Sequence, residues 1–180
     1  MFRTASILVL LAVALAGQVV AAPPAPASGK VVSVHDGDTL TVRTDAGETL
    51  KVRLHGVDAP ELGQAFGARS RESLTEIAKG KQASVVPVDK DKYGRVVARV
   101  LVGGVEVNRE QVARGMAWRY GRYDRANEYG PPEITARGRR VGLWADPSPK
   151  PPCEWRKTEK DRKTTESTKN TSKDENRITF

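Results

Sequence analysis

Residues 30–55 alternate between apolar and polar side chains, and turn residues interrupt the alternation twice. Alternation of this kind is typical of strands that bury one face, and short turns between such strands make them antiparallel neighbours. The pattern predicts a three-stranded meander with strands at Lys30–His35, Thr39–Thr44 and Thr49–His55. The two turns are centred on glycine-containing segments, Asp36-Gly37 and Asp45-Ala46-Gly47.

The following residues add two strands and about three helices to this meander. Helical spacing of apolar residues predicts a helix at Phe66–Lys79, and strands are expected at Ala83–Val88 and Arg95–Val102. Asn108 is expected to cap a second helix, and a third runs from about Pro132 to Arg140. Five short antiparallel strands with a helix between the third and fourth predict a mainly β, α+β fold, namely a five-stranded OB-type β-barrel.

The N-terminal end has the pattern of an export signal. Arg3 precedes the apolar run Ile7–Ala16, which is too short to span a bilayer. We expect residues 1–21 to be a signal peptide cleaved after Ala21 and residues 22–28 to be a Pro/Ala-rich linker; cleavage after Ala27 and a retained N-terminal anchor are the alternatives. The expected location is periplasmic or secreted, without stable membrane association after cleavage.

The C-terminal end differs from the middle in composition. Residues 150–180 carry nine Lys or Arg and six Asp or Glu, with almost no aliphatic side chains. This predicts a folded domain at 29–148 and a basic, disordered tail at 149–180, which either attracts polyanions or serves solubility. The lone Cys153 excludes an intramolecular disulfide, so the domain must be stabilised by a hydrophobic core. We expect a monomer.

Two carboxylates flank the first turn. Asp36 and Asp38 lie two residues apart, so they project to the same side of an extended chain and could hold a hard cation. A plain hairpin turn is the alternative, and it is favoured when this segment is taken alone.

The segment at 51–61 adds charged groups to the same region of the fold. Val52 and Leu54 face the core by alternation, so Arg53 points to the opposite, accessible face. Asp58 and Glu61 contribute two further carboxylates around a proline that fixes the local backbone. Acidic groups of this kind suit a metal site whose ligands must stay in place.

A third segment, DKYGR at 91–95, places Arg95 and Tyr93 in a turn. A guanidinium binds two phosphate oxygens at once and stays charged, so Arg53 and Arg95 facing acidic groups suit phosphodiester chemistry. The alternative is that both arginines form surface salt bridges of little energetic value.

At these residues the chain resembles the staphylococcal nuclease (thermonuclease) family of secreted, calcium-dependent nucleases. The resemblance extends over roughly residues 29–156 and is carried by four segments: DGDT at 36–39, RLHGVDAPE at 53–61, DKYGR at 91–95 and RRVGLWADP at 139–147.

The resemblance implies a Ca²⁺ site and a set of functional residues. Asp38 and Asp58 correspond to direct ligands, the main-chain carbonyl of Ala59 to a third ligand, and Asp36 to a group acting through water. The family usually has threonine at position 59, but a main-chain ligand survives the change to alanine. Glu61 resembles the general base, and the phosphate-binding arginines are Arg53 and Arg95. The residues expected to contact nucleotides are Tyr93, Trp118 and Tyr120.

The function implied is that of an exported, Ca²⁺-dependent endo- or exonuclease with little sequence specificity. Its expected substrate is DNA, with single strands or frayed duplex preferred and RNA left open. A non-catalytic OB-fold module that binds nucleic acid is the alternative.

Overall fold

The computed structural model describes residues 25–175, with side chains over residues 25–166, and contains eight strands, four α-helices and one 3₁₀ helix in that range. The signal peptide predicted at 1–21 lies outside the described residues. The strands are β1 (Ala27–Val34), β2 (Thr39–Thr44), β3 (Thr49–Leu54), β4 (Val57–Asp58), β5 (Gln82–Lys90), β6 (Val96–Val102), β7 (Val105–Glu106) and β8 (Trp118–Arg119). The helices are α1 (Gly67–Ala78), α2 (Val107–Ala113), α3 (Gly130–Gly138), the 3₁₀ helix Gly142–Ala145 and α4 (Pro152–Glu175).

Five of the strands form a closed barrel. The hydrogen-bonded order is β3-β2-β1-β5-β6, with β7 added beyond β6, and β3 also pairs with β6 to complete the circle. The predicted meander and the OB-type barrel are confirmed. The closing pair differs from the prediction, because β3 and β6 run parallel while the sequence favours antiparallel strands throughout. Local alternation shows which face of a strand is buried, but not how distant strands close a barrel.

The barrel interior is filled by side chains that alternate along each strand. Val31, Leu40, Val52, Val85 and Val100 are fully buried there. Burying a side chain of this size contributes roughly 1.5–3 kcal/mol, so these positions supply the stability that a chain without a disulfide requires. Leu74 of α1 packs onto the same core.

Asn108 does not cap α2, contrary to the prediction. The helix begins at Val107, one residue before Asn108, and Asn108 is fully buried inside its first turn. Its Oδ1 accepts a hydrogen bond from the Val100 amide at 3.1 Å, and its Nδ2 donates to the His55 carbonyl at 2.9 Å and to the Ala98 carbonyl at 3.1 Å. The side chain therefore ties α2 to the barrel instead of terminating the helix.

The C-terminal segment is also different from the prediction. Residues expected to be disordered form α4, and the folded unit continues past residue 148. The first turn is anchored, because Pro152 is buried and Gln64 Nε2 donates to the Lys150 carbonyl at 2.5 Å. Composition predicted disorder because the segment has few aliphatic residues, but Gln64, which anchors it, lies 86 residues away in sequence and leaves no local signal. Within residues 25–175, no helix is long and apolar enough to cross a membrane.

Candidate active site

The turn between β1 and β2 presents the first two carboxylates. Asp36 Oδ1 accepts a hydrogen bond from the Asp38 amide at 3.0 Å, which fixes the turn internally. A Cβ at Gly37 would overlap the Ser70 hydroxyl, so this position requires glycine. The Gly37 carbonyl accepts a hydrogen bond from Gln111 Nε2 at 2.7 Å. The turn is therefore attached rigidly to the helices beneath it.

Gln111 connects this turn to both α1 and α2. It is fully buried; its Nε2 also donates to the Ser70 carbonyl at 3.1 Å, and its Oε1 accepts from Ser73 Oγ at 2.7 Å. Sequence reasoning missed this supporting residue. The sequence offered only a weak signal for a buried glutamine, namely its position next to the apolar Val112 in a short helix.

Asp38 and Asp58 come together at one end of the barrel. Each residue is only 3% exposed. Asp58 lies in β4, where its Cα pairs with that of Trp118 in β8, and Asp38 Oδ2 accepts a hydrogen bond from the Ala59 amide at 2.9 Å. Asp38 is thus hydrogen-bonded to the backbone of Ala59, the residue after Asp58, and Ala59 is the residue whose carbonyl was predicted as the third ligand.

Arg53 lies between these two aspartates. Its Nη1 forms an ion pair with Asp38 Oδ1, and its Nη2 contacts Asp58 Oδ1 at 3.0 Å. Burial opposes the charge on Arg53, but the two carboxylates outweigh it and raise the pKa of Arg53. The alternation along β3 predicted that this guanidinium would leave the core, and the structure shows it bound to both aspartates.

Asp36 is less well compensated than its neighbours. Burial, together with the charge of Asp38, raises the pKa of Asp36 to about 6. A carboxylate shifted in this direction lies where negative charge is costly, and such positions favour the approach of a cation.

A second guanidinium approaches from α4. Arg156 Nη2 contacts Asp58 Oδ2 at 2.8 Å, and Arg156 Nη1 contacts Asp58 Oδ1 at 3.1 Å and Glu61 Oε1 at 2.8 Å. Burial opposes the charge, but Asp58 and Glu61 outweigh it and raise the pKa of Arg156. Sequence reasoning missed Arg156 because a charged segment with few aliphatic residues gives no sign of which cation returns to the barrel.

Comparison with known proteins identifies the family of this chain. Residues 51–146 match the model of a family described as "Staphylococcal nuclease homologue". The chain belongs to this family. It is 38% identical over 167 residues to "Micrococcal nuclease" of Shigella flexneri, covering 84% of this chain and 94% of the relative. It is 40% identical over 131 residues to an "Uncharacterized endonuclease" of Haemophilus influenzae, covering 73% and 74%, and 40% identical over 167 residues to "Protein ParB" of Escherichia coli, covering 84% and 92%.

Arg95, the second arginine that the family resemblance assigns to phosphate, lies in the turn before β6. Its ion-pair partner is Asp91, at 2.7 Å from Arg95 Nε, and not one of the four predicted site carboxylates. The β3–β6 register nevertheless aligns Arg53 with Val97, two residues after Arg95. Arg95 therefore directly precedes the strand that pairs with the strand of Arg53.

The three predicted nucleotide-contacting aromatic residues differ in exposure. Tyr93 is 73% exposed in the β5–β6 turn, with the Arg95 guanidinium 5.6 Å from its ring centroid. Trp118 is half-buried and packs edge-to-face on Trp144 at a centroid distance of 4.3 Å. Tyr120 is half-buried as well. Tyr93 thus presents most of its side chain to solvent, while Trp118 has a packing role that the sequence did not predict.

The donor chemistry of the site fits a hard cation. Asp36, Asp38 and Asp58 offer oxygen ligands only, which is what Ca²⁺ prefers. In the arrangement described, the two guanidinium groups take up oxygens of Asp38 and Asp58, and no group of three or more His, Cys, Asp or Glu among the described residues is spaced to hold a metal. The residue types thus suit calcium, and the ion pairs would have to share or release their oxygens.

Proposed function

We propose that this chain is an exported, Ca²⁺-dependent nuclease that hydrolyses phosphodiester bonds in DNA, with RNA as a further substrate, and has little sequence specificity. The observation that carries the proposal is Arg53 held between two almost fully buried aspartates, Asp38 and Asp58, in a member of the staphylococcal nuclease family. Buried, paired charges at the end of a barrel are costly to maintain and are concentrated at functional sites.

Ca²⁺, held by Asp38, Asp58 and the Ala59 carbonyl with Asp36 acting through water, would stabilise charge on the phosphate and favour ionisation of a nearby water. The protein's own groups supply the other requirements of hydrolysis.

Arg53 has five N–H donors, and Asp38 and Asp58 use only part of this set, so the guanidinium can also bind phosphate oxygens. Arg95, in the turn before the strand that pairs with β3, adds a second positive charge. These donors stabilise the charge that develops on the phosphate during attack by water. Glu61, half-exposed at the edge of the site, accepts the proton of that water.

The surface beside Glu61 supports a nucleic-acid substrate. A groove of about 750 Å³ runs between Glu61 and one face of α4, lined by Trp155, Arg156, Lys160 and Lys163 among others. Cations and an aromatic ring along a groove suit the phosphates and bases of a single strand. Contacts of this kind do not read base edges, which is why we propose weak sequence preference and strong dependence on salt.

Export and the cofactor support each other in this proposal. Sites with few protein ligands bind Ca²⁺ at about 10⁻⁴–10⁻³ M, which suits a periplasmic or extracellular enzyme. The N-terminal pattern at residues 1–21 is the sequence feature that favours this location.

The test is hydrolysis of single-stranded and duplex DNA by the mature chain, with millimolar Ca²⁺ and again with excess chelator. We expect cleavage only with Ca²⁺, and loss of cleavage without unfolding in Asp38→Asn. Asp89→Asn, an exposed aspartate of β5, is the matched control and should retain activity. Binding of DNA without cleavage under both conditions would favour the alternative, a non-catalytic OB-fold binding module.

A further inference from the structure

We propose that Arg156 is a positioning residue of the active site that holds the Glu61 carboxylate beside Asp58, so that α4 belongs to the catalytic unit. The inference rests on the proposed nuclease function and adds a residue that neither the family match at 51–146 nor the sequence motifs assign.

The first argument is the geometry of the contact. Arg156 binds both oxygens of Asp58 and one oxygen of Glu61, with distances of 2.8–3.1 Å. A planar guanidinium that binds two carboxylates fixes their relative orientation, which a lysine ammonium does not do. Asp58 and Glu61 lie 98 and 95 residues away in sequence, so the contact is a tertiary one.

The second argument is that both ends of this contact are anchored. The Asp58 side chain is 5% exposed and also bound by Arg53, so its position is fixed independently of Arg156. On the other side, the Gln64 Oε1 accepts from the Glu61 amide at 3.3 Å, while its Nε2 donates to the carbonyl of Lys150 just before α4. Gln64 thus joins the Glu61 loop to the segment that carries Arg156.

The third argument concerns what Glu61 lacks on its own. Glu61 lies in a loop and its side chain is 41% exposed. Its carboxylate forms an ion pair with Arg156. An exposed glutamate without a partner samples several rotamers, which costs conformational entropy when a single orientation is required. Arg156 binds Oε1 and leaves Oε2 available to orient a water and accept its proton.

The experiment is a double-mutant cycle in the mature chain including α4, with steady-state cleavage of a short oligonucleotide measured over a range of substrate concentrations at saturating Ca²⁺. Glu61→Gln, Arg156→Ala and the double variant are compared with the wild type, and unfolding in urea confirms that each is folded. Arg162→Ala is the matched control, because this arginine lies on the same helix and pairs with Glu159.

We expect Arg156→Ala to lower kcat about 10–100-fold with KM changed less than about threefold, because misplacing a catalytic group reduces the chemical step. Arg156→Lys should recover part of the loss, and Arg162→Ala should match the wild type. The double variant should be within about threefold of Glu61→Gln, since a positioning residue has no effect once the group it positions is removed.

Three results would overturn the proposal. Losses that multiply in the double variant would mean that Arg156 acts independently of Glu61. A rise in kcat in Arg156→Ala would identify the contact as inhibitory, and a rise in KM alone would identify Arg156 as a substrate-binding group. These results would leave the nuclease proposal intact, whereas a wild-type chain that cleaves nothing would overturn both.

Discussion

Asp124 provides a strict test of how buried ion pairs stabilise this fold, because it is a nearly buried carboxylate that accepts hydrogen bonds from three donors. It is 4% exposed and accepts hydrogen bonds from Arg119 Nε at 2.7 Å, from the Glu128 amide at 2.9 Å and from the Tyr129 amide at 3.0 Å. Asp124→Asn keeps the size of the side chain. Its amide nitrogen, however, is a donor and must replace one of the accepting oxygens.

The expected loss of stability can be estimated from these contacts. Breaking a buried ion pair by removing one partner costs about 3–5 kcal/mol. The Arg119 side chain is 27% exposed, so water screens part of the interaction and the lower end, about 3 kcal/mol, applies. With a urea dependence of about 2 kcal/mol per molar for a domain of this size, the midpoint should fall by about 1.5 M.

The pH dependence follows from the sign of the pKa shift. Burial alone would raise the pKa of Asp124, but the hydrogen bonds from Arg119 and from the amides of Tyr129 and Glu128 outweigh it and lower the pKa. The stabilisation is therefore complete above the unfolded pKa of about 3.9 and disappears as the pH falls through the lower folded value. The difference between wild type and Asp124→Asn should be full at pH 7 and shrink in strong acid.

Urea unfolding followed by tryptophan fluorescence at pH 7 and at lower pH measures both effects. Asp89→Asn, at an exposed position, should stay within about 0.5 kcal/mol of the wild type. A stability of Asp124→Asn equal to that of the control at pH 7 would refute the reasoning. So would a difference from wild type that persists unchanged in strong acid.

The remaining predictions concern the site directly. Gly37→Ala should destabilise the fold by more than about 1 kcal/mol and lower cleavage, as measured by urea unfolding and initial rates, because no space exists for a Cβ. Arg53→Lys should reduce kcat/KM about 10²-fold or more, because an ammonium cannot bind both aspartates as a fork, whereas the exposed Arg43→Lys should not. Lys160→Gln with Lys163→Gln should raise KM for long substrates and reduce its dependence on salt, while cleavage of dinucleotide-sized substrates stays unchanged.

The barrel could be predicted because each of its strands carries its own local signal. Val52 and Leu54 alternate with Arg53, so one short segment indicates both the face that enters the core and the arginine on the opposite face. The parallel pairing of β3 with β6 could not be predicted in this way, because two strands and a helix, β4, α1 and β5, lie between them in sequence. The strand order that closes the barrel depends on the global packing and not on any one segment.

The candidate site was predictable to the extent that its residues lie close together in sequence. Asp36, Asp38 and Asp58 are in short segments beside turns, and the structure brings the last two onto Arg53. Gln111 and Arg156 act across distances of 74 and 95–98 residues, and their neighbours in sequence say nothing about those contacts. Buried polar networks of this kind are visible once the partners are placed in three dimensions.

The contacts of Asp58 explain why the functional unit extends beyond the barrel to the start of α4. The barrel supplies Arg53, which binds one oxygen of Asp58, and α4 supplies Arg156, which binds both. Removing one cation would leave a carboxylate that is 5% exposed with less compensation, and a buried charge without a partner is costly. Docking of α4 and ordering of the aspartate are therefore coupled. The catalytic unit should end after Arg156, and a chain that stops at the last element of the barrel would lack part of the charge balance that its own site requires.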